Sequence, residues 1–160
     1  MQTGAIAAVS RRTVGCLLAS EDLVADLGAE RGRDALELAY CRQRFIVECR
    51  AADVVAVDCP YTFSDAEGVE REARWARRLG YVAKSVVDPS HAAIVNRVMT
   101  PDEDELERAR AIVSAFEASR ERGGGRVELD GALVEVPAYS NAKRLIARAE
   151  ALRQFARSGS

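Results

Sequence analysis

Three short apolar runs punctuate the first half of the chain: Thr13 to Ala19 (TVGCLLA), Val54 to Val57 (VVAV) and roughly Val82 to Val87 (VAKSVV). They are rich in β-branched residues and two are nearly continuous rather than alternating, the pattern of parallel strands buried on both faces. Helical periods separate them. Leu38, Cys41, Phe45 and Cys49 recur at steps of three and four, with Asp34 as the expected N-cap. The next helix opens on Ser64-Asp65-Ala66-Glu67, a capping-box spacing, and runs through Val69, Ala73, Ala76 and Leu79 to an expected stop at Gly80. Strand and helix thus alternate three times, which predicts parallel strands joined by right-handed crossovers.

The last third breaks this rhythm, which predicts a division of the chain into 1–99 and 100–160. Thr100-Pro101-Asp102-Glu103 reads as a helix start with Thr100 as N-cap and acids facing the positive end of the dipole. Leu106, Ala109, Val113 and Phe116 follow at helical spacing. RVELDGALVEV then alternates around Asp130-Gly131, the signature of a hairpin, and a closing helix is expected after Pro137.

Composition narrows the function classes. In 160 residues, 23 basic side chains face 25 acidic ones, a net charge of −2 that lacks the basic excess of a nucleic-acid binder. No apolar run reaches the roughly 20 residues that span a bilayer, and MQTGAIAAVSRR has neither the basic start nor the cleavage site expected of a signal peptide. Cys16, Cys41, Cys49 and Cys59 form no CxxC pair and read as buried, reduced thiols, which points to the cytoplasm.

Ligands of parallel α/β sheets sit beyond the carboxyl ends of the strands, and an acid stands near each of these ends. Glu21 and Asp22, Asp58, and Asp88 would share one rim, suited to a hard cation such as Mg²⁺. Each has a plainer reading: Asp22 as the cap of a helical turn, Asp58 and Asp88 as turn formers beside Pro60 and Pro89. Lys84, inside an apolar strand, is either a Schiff-base lysine or an inward lysine paired with an acid. His91, the single histidine, reads as a polar residue at a helix start, and Glu135 as a solvated strand residue.

ASEDLVADLG (19–28) resembles the metal-binding segment G-x-E-D-Y/L-x-x-D-L-G of the citrate lyase β-subunit family, also called the HpcH/HpaI aldolase superfamily. AVDCPY, DAEGVEREARWARRLGYVAKSVVDPSH, IVNRVMTPDEDELERARAIVSAFE and LDGALVEVP resemble further family segments in the same order. The resemblance implies an α/β fold: the last three βα units of a (β/α)8 barrel followed by a C-terminal helix–hairpin–helix lid. It implies magnesium-dependent aldol cleavage of 2-keto acid or acyl-CoA thioester substrates, with Asp22 as metal ligand. The backbone N–H groups around Ala19, Ser20 and Glu21 would touch the substrate carboxylate. Glu135 would take the place of a lid aspartate acting as general acid. The family's second metal ligand, a glutamate, and its carboxylate-clamping arginine have no counterpart in these residues. Asp88, His91 and Glu135 depart from the family pattern, where His, Gln and Asp stand. The expectation is therefore a chain needing a complementing N-terminal barrel half or self-association, and weak or inactive alone. The alternative is a non-catalytic binding or assembly module, or a truncated paralogue.

Overall fold

The computed structural model describes residues 2–158. Its contacts divide the chain into Met1–Met99 and Thr100–Ser160. The first unit runs α1 (Thr3–Ala8), β1 (Gly15–Leu17), α2 (Ser20–Leu27), α3 (Ala39–Ala51), β2 (Val55–Asp58), α4 (Ala66–Leu79), β3 (Ala83–Lys84) and α5 (His91–Met99). The strands form a parallel sheet in the order β1-β2-β3, with Cys16 opposite Ala56 and Asp58 opposite Lys84. A mixed α/β architecture with strand–helix alternation therefore stands, with strands shorter than the apolar runs that announced them.

The stripes read from the sequence do form the core. Leu38, Phe45 and Cys49 pack with Val69, Ala73 and Ala76 around Ala56 of the central strand. Burying each of the larger apolar side chains contributes about 1.5–3 kcal/mol, which fixes the helices on one face of the sheet. The other face departs from expectation. Its residues include Leu17 and Val55, which are 54% and 46% exposed, so among the described residues of the first unit this face is left open. The near-continuous runs encode two apolar faces, and the described residues bury one.

Local starts differ by a residue or more. Asp34 accepts from the Leu36 amide at 3.3 Å and opens a 3₁₀ turn (Leu36–Leu38) rather than capping α3 itself. Helix α4 is capped by Asp65, not Ser64: Asp65 accepts from the Gly68 amide at 2.7 Å and takes the Tyr61 hydroxyl as well. Gly80 closes α4 at φ 102°, the left-handed stop that favours glycine. Two helices, α1 and α2, were not expected; α2 was foreseen at most as a turn.

The second unit runs α6 (Glu103–Glu121), β4 (Val127–Leu129), β5 (Ala132–Val134) and α7 (Val136–Ser158). Asp102, rather than Thr100, caps α6 in a reciprocal capping box with Glu105. The hairpin pairs Val127 with Val134 in antiparallel register, and Asp130 and Gly131 both take positive φ (52° and 74°), as a two-residue I′ turn requires. Helix α7 begins at Val136 with Pro137 in its first turn, where no N–H is missed. Phe116 of α6 stacks on Tyr139 of α7 at 4.7 Å between ring centroids.

Candidate functional site

The carboxyl ends of the three strands lie side by side, because Leu17 pairs with Val57 and Val57 with Ala83. The segments leaving them form one rim. From β1 the chain turns at Ala19 and enters α2, so Ser20, Glu21 and Asp22 make its first turn. No side chain caps this end, and the first amides of a helix have no acceptor within it. They face the rim with the positive end of the helix dipole. Asp22 is exposed and has no hydrogen-bond or ion-pair partner among the described residues.

The rim of several carboxylates anticipated from the sequence does not form. Asp58 is wholly buried at the end of β2 and belongs to an ion cluster beneath the rim. Arg42 of α3 grips it with both arms, Nε to Oδ1 at 2.9 Å and Nη2 to Oδ2 at 2.7 Å, and reaches Glu72 of α4 through Nη1 at 2.6 Å. Lys84 Nζ donates to Asp58 Oδ2 at 2.7 Å and to the Cys59 carbonyl at 2.6 Å. Of the two readings of Lys84, the inward lysine paired with an acid is the one observed. The Tyr81 hydroxyl donates to the Arg42 carbonyl at 2.7 Å, and Trp75 lies 4.1 Å from the guanidinium. Burial alone would lower the Arg42 pKa; Asp58, with Glu72 behind it, outweighs that and holds it above its ordinary value. Burial, reinforced by Asp58, pushes the Tyr81 phenol up.

Asp88 serves its own turn: its carboxylate accepts from the Ser90 amide at 2.8 Å, and Ser90 holds its pKa below the usual range. His91 is the first residue of α5, yet it is 2% exposed, 6.3 Å from the Tyr61 ring, with neither ring nitrogen hydrogen-bonded among the described residues.

Above the ion cluster, the Glu21 carboxylate joins neighbouring segments. Its Oε1 accepts from Arg31 Nε at 3.1 Å, Thr62 Oγ1 at 3.3 Å and Ser20 Oγ at 3.4 Å. Arg31 also donates to Glu37 at 2.9 Å. Ser20 is buried, and its hydroxyl meets the buried Cys59 thiol, which burial pushes above its ordinary pKa. The thiols read as uniformly buried divide: Cys49 and Cys59 are buried, Cys16 and Cys41 only partly so, and all are free. Glu135 lies in the second unit, exposed at the junction of β5 and α7.

Arg42, Glu72 and Arg31 were not singled out from the sequence. The one available signal was Lys84, since a lysine inside a strand demands an acid and the acid at the end of the next strand is Asp58. Arg42 was hidden because it interrupts a helical stripe as a charge, and its burial is legible only once its partners are assembled.

Among the described residues, no group of three or more His, Cys, Asp or Glu side chains is arranged to hold a metal ion. At the rim, Asp22 offers a free carboxylate beside the uncapped start of α2. The fold is shared with solved citrate-lyase-type structures. The protein CitE from Mycobacterium tuberculosis, in complex with magnesium, acetoacetate and coenzyme A, superposes with a TM-score of 0.77 at 28% identity, over 92% of this chain and 56% of that one. A citrate lyase from Burkholderia xenovorans LB400 has the same fold, with a TM-score of 0.75 at 17% identity over 93% and 49%. The citrate lyase subunit beta of Leuconostoc mesenteroides subsp. cremoris is 33% identical over 147 residues, 91% of this chain and 49% of that protein. The mitochondrial citramalyl-CoA lyase of Rattus norvegicus is 27% identical over 135 residues, 84% and 40%. The HpcH/HpaI aldolase/citrate lyase family model matches residues 1–89, and the chain belongs to that family. It spans about half the length of the citrate lyase β subunits it matches, in agreement with their C-terminal half.

No described helix is long and apolar enough to cross a membrane.

Proposed function

We propose that this chain is the C-terminal part of a magnesium-dependent carbon–carbon lyase of the citrate lyase β type, acting on a 2-keto acid or acyl-CoA thioester. In this reading the first unit is the last three βα units of a (β/α)8 barrel, and the second is its helix–hairpin–helix lid. The observation that carries it is Asp22, an exposed and unpartnered carboxylate on the first turn of α2, in the segment that matches the family's metal site. As one oxygen ligand it fits magnesium, which is held by one or two carboxylates with waters and substrate oxygens. When bound, the metal supplies Lewis-acid polarisation of the keto-acid oxygens. Ala19, Ser20 and Glu21 would orient the substrate carboxylate through their amides, and Glu135 would supply a proton from the lid to a neighbouring subunit's site. One carboxylate is a poor magnesium site, so the chain alone has little or no turnover and needs the glutamate and the arginine of a complementing N-terminal half.

Cleavage of malyl-CoA and citryl-CoA by the purified chain, alone and with a separately expressed N-terminal barrel half, tests this. Activity is expected only for the combination and is lost with Asp22→Asn. A robust rate from the chain alone refutes the incomplete-enzyme reading.

A second reading, a non-catalytic binding or assembly module, is favoured by the exposed sheet face around Leu17 and Val55 and by the altered Asp88, His91 and Glu135. Size-exclusion chromatography with light scattering bears on both readings. A stable monomer of 17.4 kDa with cooperative unfolding counts against a missing half and against obligate assembly.

A further inference from the structure

We propose that Lys84 is a positioning residue: through the Cys59 carbonyl it sets the Cys59–Thr62 segment, and through that segment the first turn of α2. The inference rests on the reading of that turn as the ligand-binding segment. Four charged side chains, Arg42, Asp58, Glu72 and Lys84, are sealed below the rim. Apolar replacements of buried ion clusters are often neutral or stabilising, so stability alone gives little account of these charges. Their hydrogen bonds are directional, however. Arg42 already holds both oxygens of Asp58, which leaves Lys84 as the member that reaches out of the cluster to backbone, at 2.6 Å from the Cys59 oxygen.

That carbonyl begins the segment whose side chains touch α2. The Cys59 thiol meets the Ser20 hydroxyl, and the Thr62 hydroxyl donates to Glu21. Ser20 and Glu21 immediately precede Asp22. A displacement of the Cys59 carbonyl therefore passes to the turn presenting the free carboxylate, chiefly through the Thr62–Glu21 hydrogen bond at 3.3 Å. A metal or keto-acid site tolerates errors of only about 0.5 Å, so such a displacement is felt as lost affinity.

The test uses the full ¹⁵N-labelled chain, with Mn²⁺ as probe ion. Lys84→Met is compared with Val69→Ala, a core truncation of α4 whose side chain makes no hydrogen bond or ion pair with these groups. Expected is a shift of the Ser20, Glu21 and Asp22 amide resonances and at least ten-fold faster hydrogen exchange there in Lys84→Met, with neither change in Val69→Ala at matched loss of Tm. Where the wild-type chain binds Mn²⁺, Lys84→Met binds it at least five-fold more weakly. If Lys84→Met does not fold, the paired variant Asp58→Asn/Lys84→Met, which keeps Arg42 balanced by Glu72 and leaves no donor for the Cys59 carbonyl, is read in the same way. Unmoved amides, or equal movement in Val69→Ala, overturn the positioning role while leaving the metal reading intact. Moved amides in a chain with no Mn²⁺ affinity uphold the positioning role and count against the metal reading.

Discussion

Arg42→Met isolates the energetics of the buried ion cluster. The Arg42 side chain is 1% exposed, and Glu72, at 6%, has no other hydrogen-bond or ion-pair partner among the described residues. Asp58 would keep Lys84 at 2.7 Å. The substitution therefore strands one buried carboxylate, for which the expected loss is about 3–5 kcal/mol. In a unit of this size that lowers Tm by on the order of 15 °C. Adding Glu72→Leu removes the stranded charge and leaves Asp58 and Lys84 as a balanced pair. The double variant is expected to recover to within about 1–2 kcal/mol of the wild type, since balanced apolar replacement of buried ions is often neutral. The assay is urea unfolding followed by fluorescence of Trp75, the single tryptophan, which lies against the Arg42 guanidinium and reports on the first unit alone. If the losses of the two single substitutions simply add in the double variant, stranded charge is not the cause and the reasoning fails.

Gly68→Ala is expected to destabilise the first unit by about 1–3 kcal/mol through overpacking. A Cβ there would overlap the Tyr61 ring and hydroxyl and crowd Asp65, which caps α4, so faster exchange at the first amides of α4 should accompany the loss. The Glu48 carboxyl is held down to about 2, first by Arg44 and, against the opposing effect of burial, further by the Gly4 and Thr3 amides. Its contribution to anchoring α1 is complete above the ordinary carboxylate pKa of about 4.3 and is lost as pH falls through 2. Carbon-detected titration checks this, and a midpoint near 4.3 for Glu48 would contradict the anchoring.

The α/β alternation was legible because each stripe had a single period. Leu38, Phe45 and Cys49, or Val69, Ala73 and Ala76, can share a face only on a helix, and they form the core observed. The hairpin was legible because Asp130-Gly131 admits left-handed backbone at both positions. Caps were misplaced where two adjacent polar residues competed. Ser64 and Asp65 both suit an N-cap, and the Tyr61 hydroxyl, brought by the fold, selects Asp65. Helix α2 was obscured because its eight residues span little more than two turns, too few for a helical period to repeat. At the site, the acids near the strand ends looked equivalent in one dimension. They separate only when Arg42 and Lys84 converge on Asp58 and Ser90 on Asp88, leaving Asp22 free.

The half-covered sheet has a consequence for how the molecule's stability must be expressed. With Leu17 and Val55 open to solvent, any chain that covers them binds the folded form and not the unfolded one. Stability is then set by mass action: a covering partner at a hundred times its dissociation constant adds about 2.7 kcal/mol with no change in this sequence. Where a second chain covers that face, a melting temperature belongs to a stated concentration and company, and a dilution series measures what the covering is worth.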